Sequence, residues 1–243
     1  MQSADNAENS PVVQIDTYLA DLDDPCFADA RFLDCVAQDE RRRAEDFCRA
    51  RDARLYLARR AILRHLLAAQ TTREAGELEF SYNNFGKPAL VGEGPCFNVS
   101  RAGNLAFYTI CEREIGCDIE WHRPELAKPS IAAHFFSPIE QSSLCRAADG
   151  DWIACFFNCW TRKEAVVKAM GFGLSYPADS FSVSVDSDGP AEVLHGLAGW
   201  RIDAPSILPA LHAAIAVKAA RAERLEYRPL HLPGVRPLDV AAA

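Results

Sequence analysis

Apolar and polar residues alternate from Val12 to Leu19, the two-residue period of a strand, and Asp21-Leu-Asp-Asp-Pro25 closes it with turn chemistry. From Asp39 to Gln70 the period becomes helical, with Leu55, Ala58, Ile62, Leu63, Leu66 and Leu67 on one stripe and a break expected near Arg49 to Asp52. Short strands are predicted next, at Leu78 to Tyr82, Pro95 to Val99, Leu105 to Cys111 and Ile115 to Trp121. Turn residues separate them, Asn83-Asn84-Phe85-Gly86-Lys87-Pro88 and Arg101-Ala-Gly-Asn104. Helical pieces follow at Ile131 to Phe136 and Pro138 to Ala147, the second with Ser137 as N-cap and Pro138 at its first position. A longer helix spans Trp152 to Met170 and stops at Gly171-Phe-Gly173. Phe181 to Val185, Trp200 to Ile202 and His212 to Ala219 can supply more strands, and the tail from Pro229, with three prolines, reads as irregular. This order predicts an α+β fold of two halves, residues 1–115 and 116–243, meeting between Arg113 and Gly116.

Composition narrows the class. The 243 residues are 49% hydrophobic and 25% charged, which excludes general disorder and fibrous repeats. With 34 acidic against 26 basic residues the net charge is −8, so no nucleic-acid partner is expected and any bound anion needs a local cationic site. The first eleven residues carry neither a basic nor an apolar leader region, and the apolar run near Ile207 to Val217 is too short to cross a bilayer. A cytoplasmic protein without a membrane partner is expected. The nine cysteines include no Cys-x-x-Cys and no zinc-finger spacing; they read as small buried hydrophobes of a reducing compartment, Cys155 and Cys159 included. One segment departs from the acidic background: Arg41 to Arg64 holds nine arginines against Glu45, Asp46 and Asp52.

Three groups of residues can do chemistry. In Gly116-Cys-Asp-Ile-Glu120, strand alternation puts Asp118 and Glu120 on one face, where like charges repel unless a cation lies between them. Oxygen-only ligands suit Mg²⁺, although a solvated strand face has the same pattern, and His122 shares that face. In Trp160-Thr-Arg-Lys-Glu-Ala-Val-Val-Lys168, Trp160, Glu164 and Lys168 are spaced by four and share a helix face. That spacing is equally that of an ordinary surface ion pair. The third group is cationic: Lys87 after a turn, Ser100 and Arg101 in a strand-to-strand turn, and Arg54, Arg59, Arg60 or Arg64 of the basic helix, all suited to phosphate. No Walker A or Gly-x-Gly-x-x-Gly loop is present.

Phe85-Gly-Lys-Pro88, Phe97-Asn-Val-Ser100, Gly116-Cys-Asp-Ile-Glu120, His134-Phe-Phe-Ser-Pro-Ile-Glu140 and Trp160-Thr-Arg-Lys-Glu-Ala-Val-Val-Lys168 with Gly171-Phe-Gly-Leu174 together resemble the 4′-phosphopantetheinyl transferases. The likeness is to the monomeric, surfactin-synthetase-activating type and covers roughly residues 40 to 185. It implies two similar α+β halves in pseudo-twofold arrangement with coenzyme A between them. It also implies transfer of phosphopantetheine to a serine of an apo acyl or peptidyl carrier protein, releasing 3′,5′-ADP. By this resemblance Asp118, Glu120 and Glu164 ligate Mg²⁺, and Glu164, or a water it polarises, is the base for the serine. Lys163 and Lys168 match the family's helix lysines, with Lys168 on the pyrophosphate. Lys87 matches the lysine at the adenine end, Ser100 a phosphate contact, and Arg54 is the candidate for the 3′-phosphate. Arg101 stands where the family commonly has His, which keeps and fixes the positive charge. The alternative is a catalytically silent coenzyme A-binding protein of the same fold.

Overall fold

The computed structural model describes residues 11–147, 151–186, 189–228 and 235–237. The chain runs through β1 (Val12–Asp21), α1 (Ala30–Leu33), α2 (Gln38–Glu45), α3 (Ala50–Ala68), β2 (Phe80–Tyr82), β3 (Pro88–Leu90), β4 (Cys96–Ala102), β5 (Leu105–Cys111) and β6 (Ile115–Trp121). It continues through α4 (Pro129–Phe135), α5 (Pro138–Arg146), α6 (Trp152–Met170), β7 (Ser182–Val183), β8 (Val193–His195), β9 (Trp200–Asp203), β10 (Leu211–Lys218), β11 (Arg224–Arg228) and β12 (Val235–Pro237).

Two sheets carry the α+β fold, one ordered β11-β1-β5-β4 and the other β6-β10-β9. Their inner faces pack on each other through Ile15, Leu19 and Phe107 on one side and Cys117, Ile119 and Ile215 on the other. Strand alternation then sends the intervening residues outward. In the first sheet Tyr18, Phe97, Tyr108 and Ile110 meet Leu55, Ile62, Leu63 and Leu66 of α3. In the second, Ala214 and Ala216 of β10 meet Ala165, Val166 and Ala169 of α6. The layers are therefore helix, sheet, sheet, helix, and the two principal helices are each 19 residues long. The helical stretch expected from Asp39 to Gln70 is interrupted at 46–49, between α2 and α3.

The C-terminal strands do not stay with the second half. β11 pairs parallel with Val12 to Asp16, and β12 pairs antiparallel with Tyr18 to Ala20, so both return to β1 of the first sheet. Of the tail expected to be irregular, 235–237 forms β12 and the rest lies outside the described residues.

Lys163 departs from its expected place among the coenzyme A contacts. Its ammonium is buried and donates to both carboxylate oxygens of Glu140 at 2.8 Å and to Phe181 O at 2.7 Å, which uses all three of its hydrogens. Glu140 is fully buried and also accepts from the amides of Ser137 and Val183, both at 2.7 Å. The same carboxylate thus completes the capping box of α5 and ties α5, α6 and β7 together. Glu140→Ala leaves that ammonium buried and uncompensated, at a cost of about 3–5 kcal/mol. The melting temperature is expected to fall by roughly 10 °C, measured by calorimetry.

Candidate active site

β4 and β6 run side by side where the two sheets part, with no backbone ladder between them. Alternate amides of such an edge strand need other acceptors. Asn98 Oδ1 accepts from Cys117 N at 2.9 Å, and Ser100 Oγ accepts from Ile119 N at 3.4 Å. Two side chains, spaced by two on β4, thereby hold two amides spaced by two on β6. Asp118 lies between those amides and turns to the opposite face, toward α6. The helix comes close because position 116 has no side chain: a Cβ there would overlap Ala165 O and Ala169 N.

This packing brings five of the predicted residues together, Ser100, Asp118, Glu120, Glu164 and Lys168. Asp118 is 3% exposed, and its Oδ1 accepts from Ser100 Oγ at 2.7 Å and from the Lys168 ammonium. Lys168 also donates to Ser100 Oγ at 3.1 Å, so that hydroxyl uses its one donor and both lone pairs. Asp118 Oδ2 is buried with no partner. Glu164, one helical turn before Lys168, makes no hydrogen bond or ion pair among the described residues; burial and then Asp118 push its carboxyl above the usual range. Glu120 is raised for the same two reasons, partly offset by Arg123 at 3.0 Å. For Lys168 burial acts to lower the pKa, yet Asp118 beside it holds the ammonium above its ordinary value. No group of three or more His, Cys, Asp or Glu has metal-holding geometry among the described residues. The chemistry of the candidate donors nevertheless suits a hard divalent cation: all are carboxylate oxygens, one buried oxygen is orphaned, and burial and the charge of Asp118 hold up the two glutamates.

The other predicted residues lie elsewhere. Arg54 is drawn to Asp23 at 2.6 Å, next to Arg51. Arg101 donates to Gly103 O of its own turn at 2.7 Å and borders a cavity of about 200 Å³ with Phe47, Asp52, Leu55, Tyr56 and Arg59. Lys87 donates to Ile115 O at 3.2 Å and to Ala169 O. His122 pairs with His212 at 3.1 Å. Cys155 and Cys159 are buried on the core face of α6, and neither is in a disulfide. A larger cavity, about 710 Å³ between β9 and β11, contains none of the predicted residues. Sequence reasoning missed Asn98 and Gly116 as site residues; Asn98 carried a usable signal, its two-residue spacing from Ser100.

Two family models match consecutive parts of this chain: "4′-phosphopantetheinyl transferase, N-terminal" over residues 25–112 and "4′-phosphopantetheinyl transferase superfamily" over 114–212. The 4′-phosphopantetheinyl transferase Sfp of Bacillus subtilis is 30% identical over 164 residues, 67% of this chain and 72% of that protein. The chain belongs to the 4′-phosphopantetheinyl transferase superfamily. Similar relatives include the 4′-phosphopantetheinyl transferase HetI of Nostoc, 37% identical over 58% of this chain and 61% of its own length. AcpT of Escherichia coli K12 is 36% identical over 48% of this chain and 57% of its own length. Among solved structures, the holo-[acyl-carrier-protein] synthase of Neisseria meningitidis aligns with 43% of this chain and 95% of its own, at 19% identity and a TM-score of 0.35. The protein is accordingly an enzyme, a phosphopantetheinyl transferase acting on carrier proteins.

For such a transferase the spacing between β6 and α6 sets the distance from carboxylates to Lys168. Gly116→Ala should push the helix away and lower turnover about 10²-fold, because a displacement near 1 Å is enough for that loss. Steady-state kinetics on the folded variant, with circular dichroism as control, checks this.

Proposed function

We propose that this transferase takes phosphopantetheine from coenzyme A and places it on a serine of an apo acyl or peptidyl carrier protein, with Mg²⁺ held by Asp118, Glu120 and Glu164. The observation that carries the metal reading is the buried, unpartnered Oδ2 of Asp118 beside two glutamates whose pKa values burial and then Asp118 raise. When bound, Mg²⁺ supplies charge neutralisation on the diphosphate. Lys168 supplies a second positive charge to the diphosphate, on the helix face shared with Glu164. Glu164 accepts the proton of the carrier's serine. Ser100 orients Lys168 and Asp118 through its hydroxyl.

For the 3′-phosphate, Arg59 and Arg101 together are the better pair than Arg54, which Asp23 already engages. Burial lowers the Arg59 pKa, Arg101 and Arg60 lower it further, and no carboxylate pairs with it among the described residues. Two guanidinium groups in one small cavity match a phosphate in bidentate fashion. The half up to residue 115 then holds coenzyme A, and the half from 116 carries the metal and the catalytic helix. Nine cysteines, none of them in a disulfide, support a reducing, cytoplasmic setting, and two halves within one chain support a monomer.

Intact mass of several apo carrier proteins, incubated with the protein, coenzyme A and Mg²⁺, tests the reaction. One phosphopantetheine is gained, and the gain disappears with EDTA or with Glu164→Ala; a gain that survives both removes the metal reading. Calorimetric titration tests the phosphate pair. Arg59→Ala and Arg101→Ala each weaken coenzyme A binding tenfold or more while leaving dephospho-coenzyme A binding unchanged, and Arg101→His weakens it less. Equal losses for both ligands would assign the two arginines another role.

A further inference from the structure

We infer that Asn83 and Lys87 are positioning residues that clamp the last turn of α6 and so set Lys168 against Asp118. The inference rests on the reading of Lys168 as the diphosphate contact and differs from a role for Lys87 at the coenzyme's adenine.

The end of a helix leaves carbonyls without partners. At the end of α6 two of these are taken by one loop: Asn83 Nδ2 donates to Gly171 O at 2.8 Å, and the Lys87 ammonium donates to Ala169 O. The same ammonium donates to Ile115 O at 3.2 Å, the first residue of β6. Lys87 thus joins the residue after Lys168 to the residue before Gly116, tying helix end to strand start. A cation also complements the negative end of the helix dipole. The loop is itself held in shape, since Asn83 Oδ1 accepts from the amides of Phe85 at 3.0 Å and Lys87 at 2.9 Å.

Gly171 belongs to the same device. Its φ of +75° ends the helix in the left-handed region, and a Cβ there would stand 2.8 Å from Lys87 Cδ and 3.0 Å from Asn83 Nδ2. Just beyond, Phe172 meets Phe85 edge to face with ring centres 5.7 Å apart, a further contact between loop and helix end. Asn83 and Lys87 come from the first half and α6 from the second, so the clamp sets one against the other at the site.

Lys87→Met keeps the stem and removes the ammonium; Asn83→Ala removes the second arm and serves if the first variant does not fold. Wild-type turnover, measured alongside, tests the diphosphate reading separately. Both variants are expected to lose tenfold or more in kcat with the KM for coenzyme A within about threefold, and Lys87→Arg should recover most of the loss. In a Lys168→Met background, Lys87→Met should cost nothing further, because a residue acting through Lys168 has no effect once Lys168 is gone. Hydrogen exchange of the amides from Ala169 to Gly171 should quicken at least tenfold in Lys87→Met, with the middle of α6 unchanged; this readout needs no turnover. A tenfold rise in KM at unchanged kcat, an additive loss in the Lys168→Met background, or unaltered exchange overturns the clamp.

Discussion

Two side chains, Asn98 and Ser100, hold the sheets together where backbone pairing stops, and the geometry of the site follows from that clip. With their oxygens on the Cys117 and Ile119 amides, β6 is fixed in depth and register beside β4. Asp118, caught between those amides, then has no freedom to slide, and its carboxylate enters the layer between β6 and α6. A single missing side chain, at Gly116, lets the helix approach closely enough for Lys168 to reach it. Had the two sheets been joined by an ordinary ladder, backbone carbonyls would have filled the place of the Ser100 hydroxyl. That hydroxyl is needed because it alone can accept from an amide and an ammonium while donating to a carboxylate.

Charge is distributed unevenly for a reason. Three carboxylates face one ammonium in a half-buried layer, an arrangement that leaves negative charge for a cation to neutralise. On the other side, the arginine-rich segment looks like a large anion site and is in fact mostly structural. Glu40 engages Arg60 and Arg64, Asp23 engages Arg51 and Arg54, and Arg41 donates to the carbonyls of Leu33 and Val36. Arg64 adds bonds to Ala75 O and Leu78 O, so it holds α3 to the following loop. What remains facing the small cavity is Arg59, with its guanidinium 5.6 Å over the Tyr56 ring, and Arg101. An acidic protein can therefore take a polyanion without a broadly basic surface.

How much of this was legible in the sequence varies with how local the cause is. β5, β6 and α6 begin and end where period and punctuation say, because alternation, helical stripe and Gly171 are all properties of neighbouring residues. The grouping of Asp118, Glu120, Glu164 and Lys168 was legible too, since strand and helix periods each place their pair on one face. β3 and β8 were not, being three residues long with no room for a pattern. β11 does alternate, with Leu225 and Tyr227 turned inward, but its partner is β1, some 210 residues upstream, and nothing local announces a parallel pairing at that range. Asn98 and Arg54 fail for the same reason: a side chain's partner on a distant segment leaves no mark in its own neighbourhood.

The two lysines of α6 show what that distance means for chemistry. Lys163 and Lys168 are five residues apart, about 140° around the helix, whereas Glu164 and Lys168 are four apart and nearly aligned. One lysine must face the core of the second half when the other faces β6. Lys163 there meets Glu140, 23 residues earlier, and with Phe181 O the pair fixes the rotation of the helix about its own axis. Phosphoryl transfer depends chiefly on positioning and on charge held at fixed points. A buried ion pair on the far face of α6 therefore sets the angle at which Glu164 and Lys168 are presented to β6.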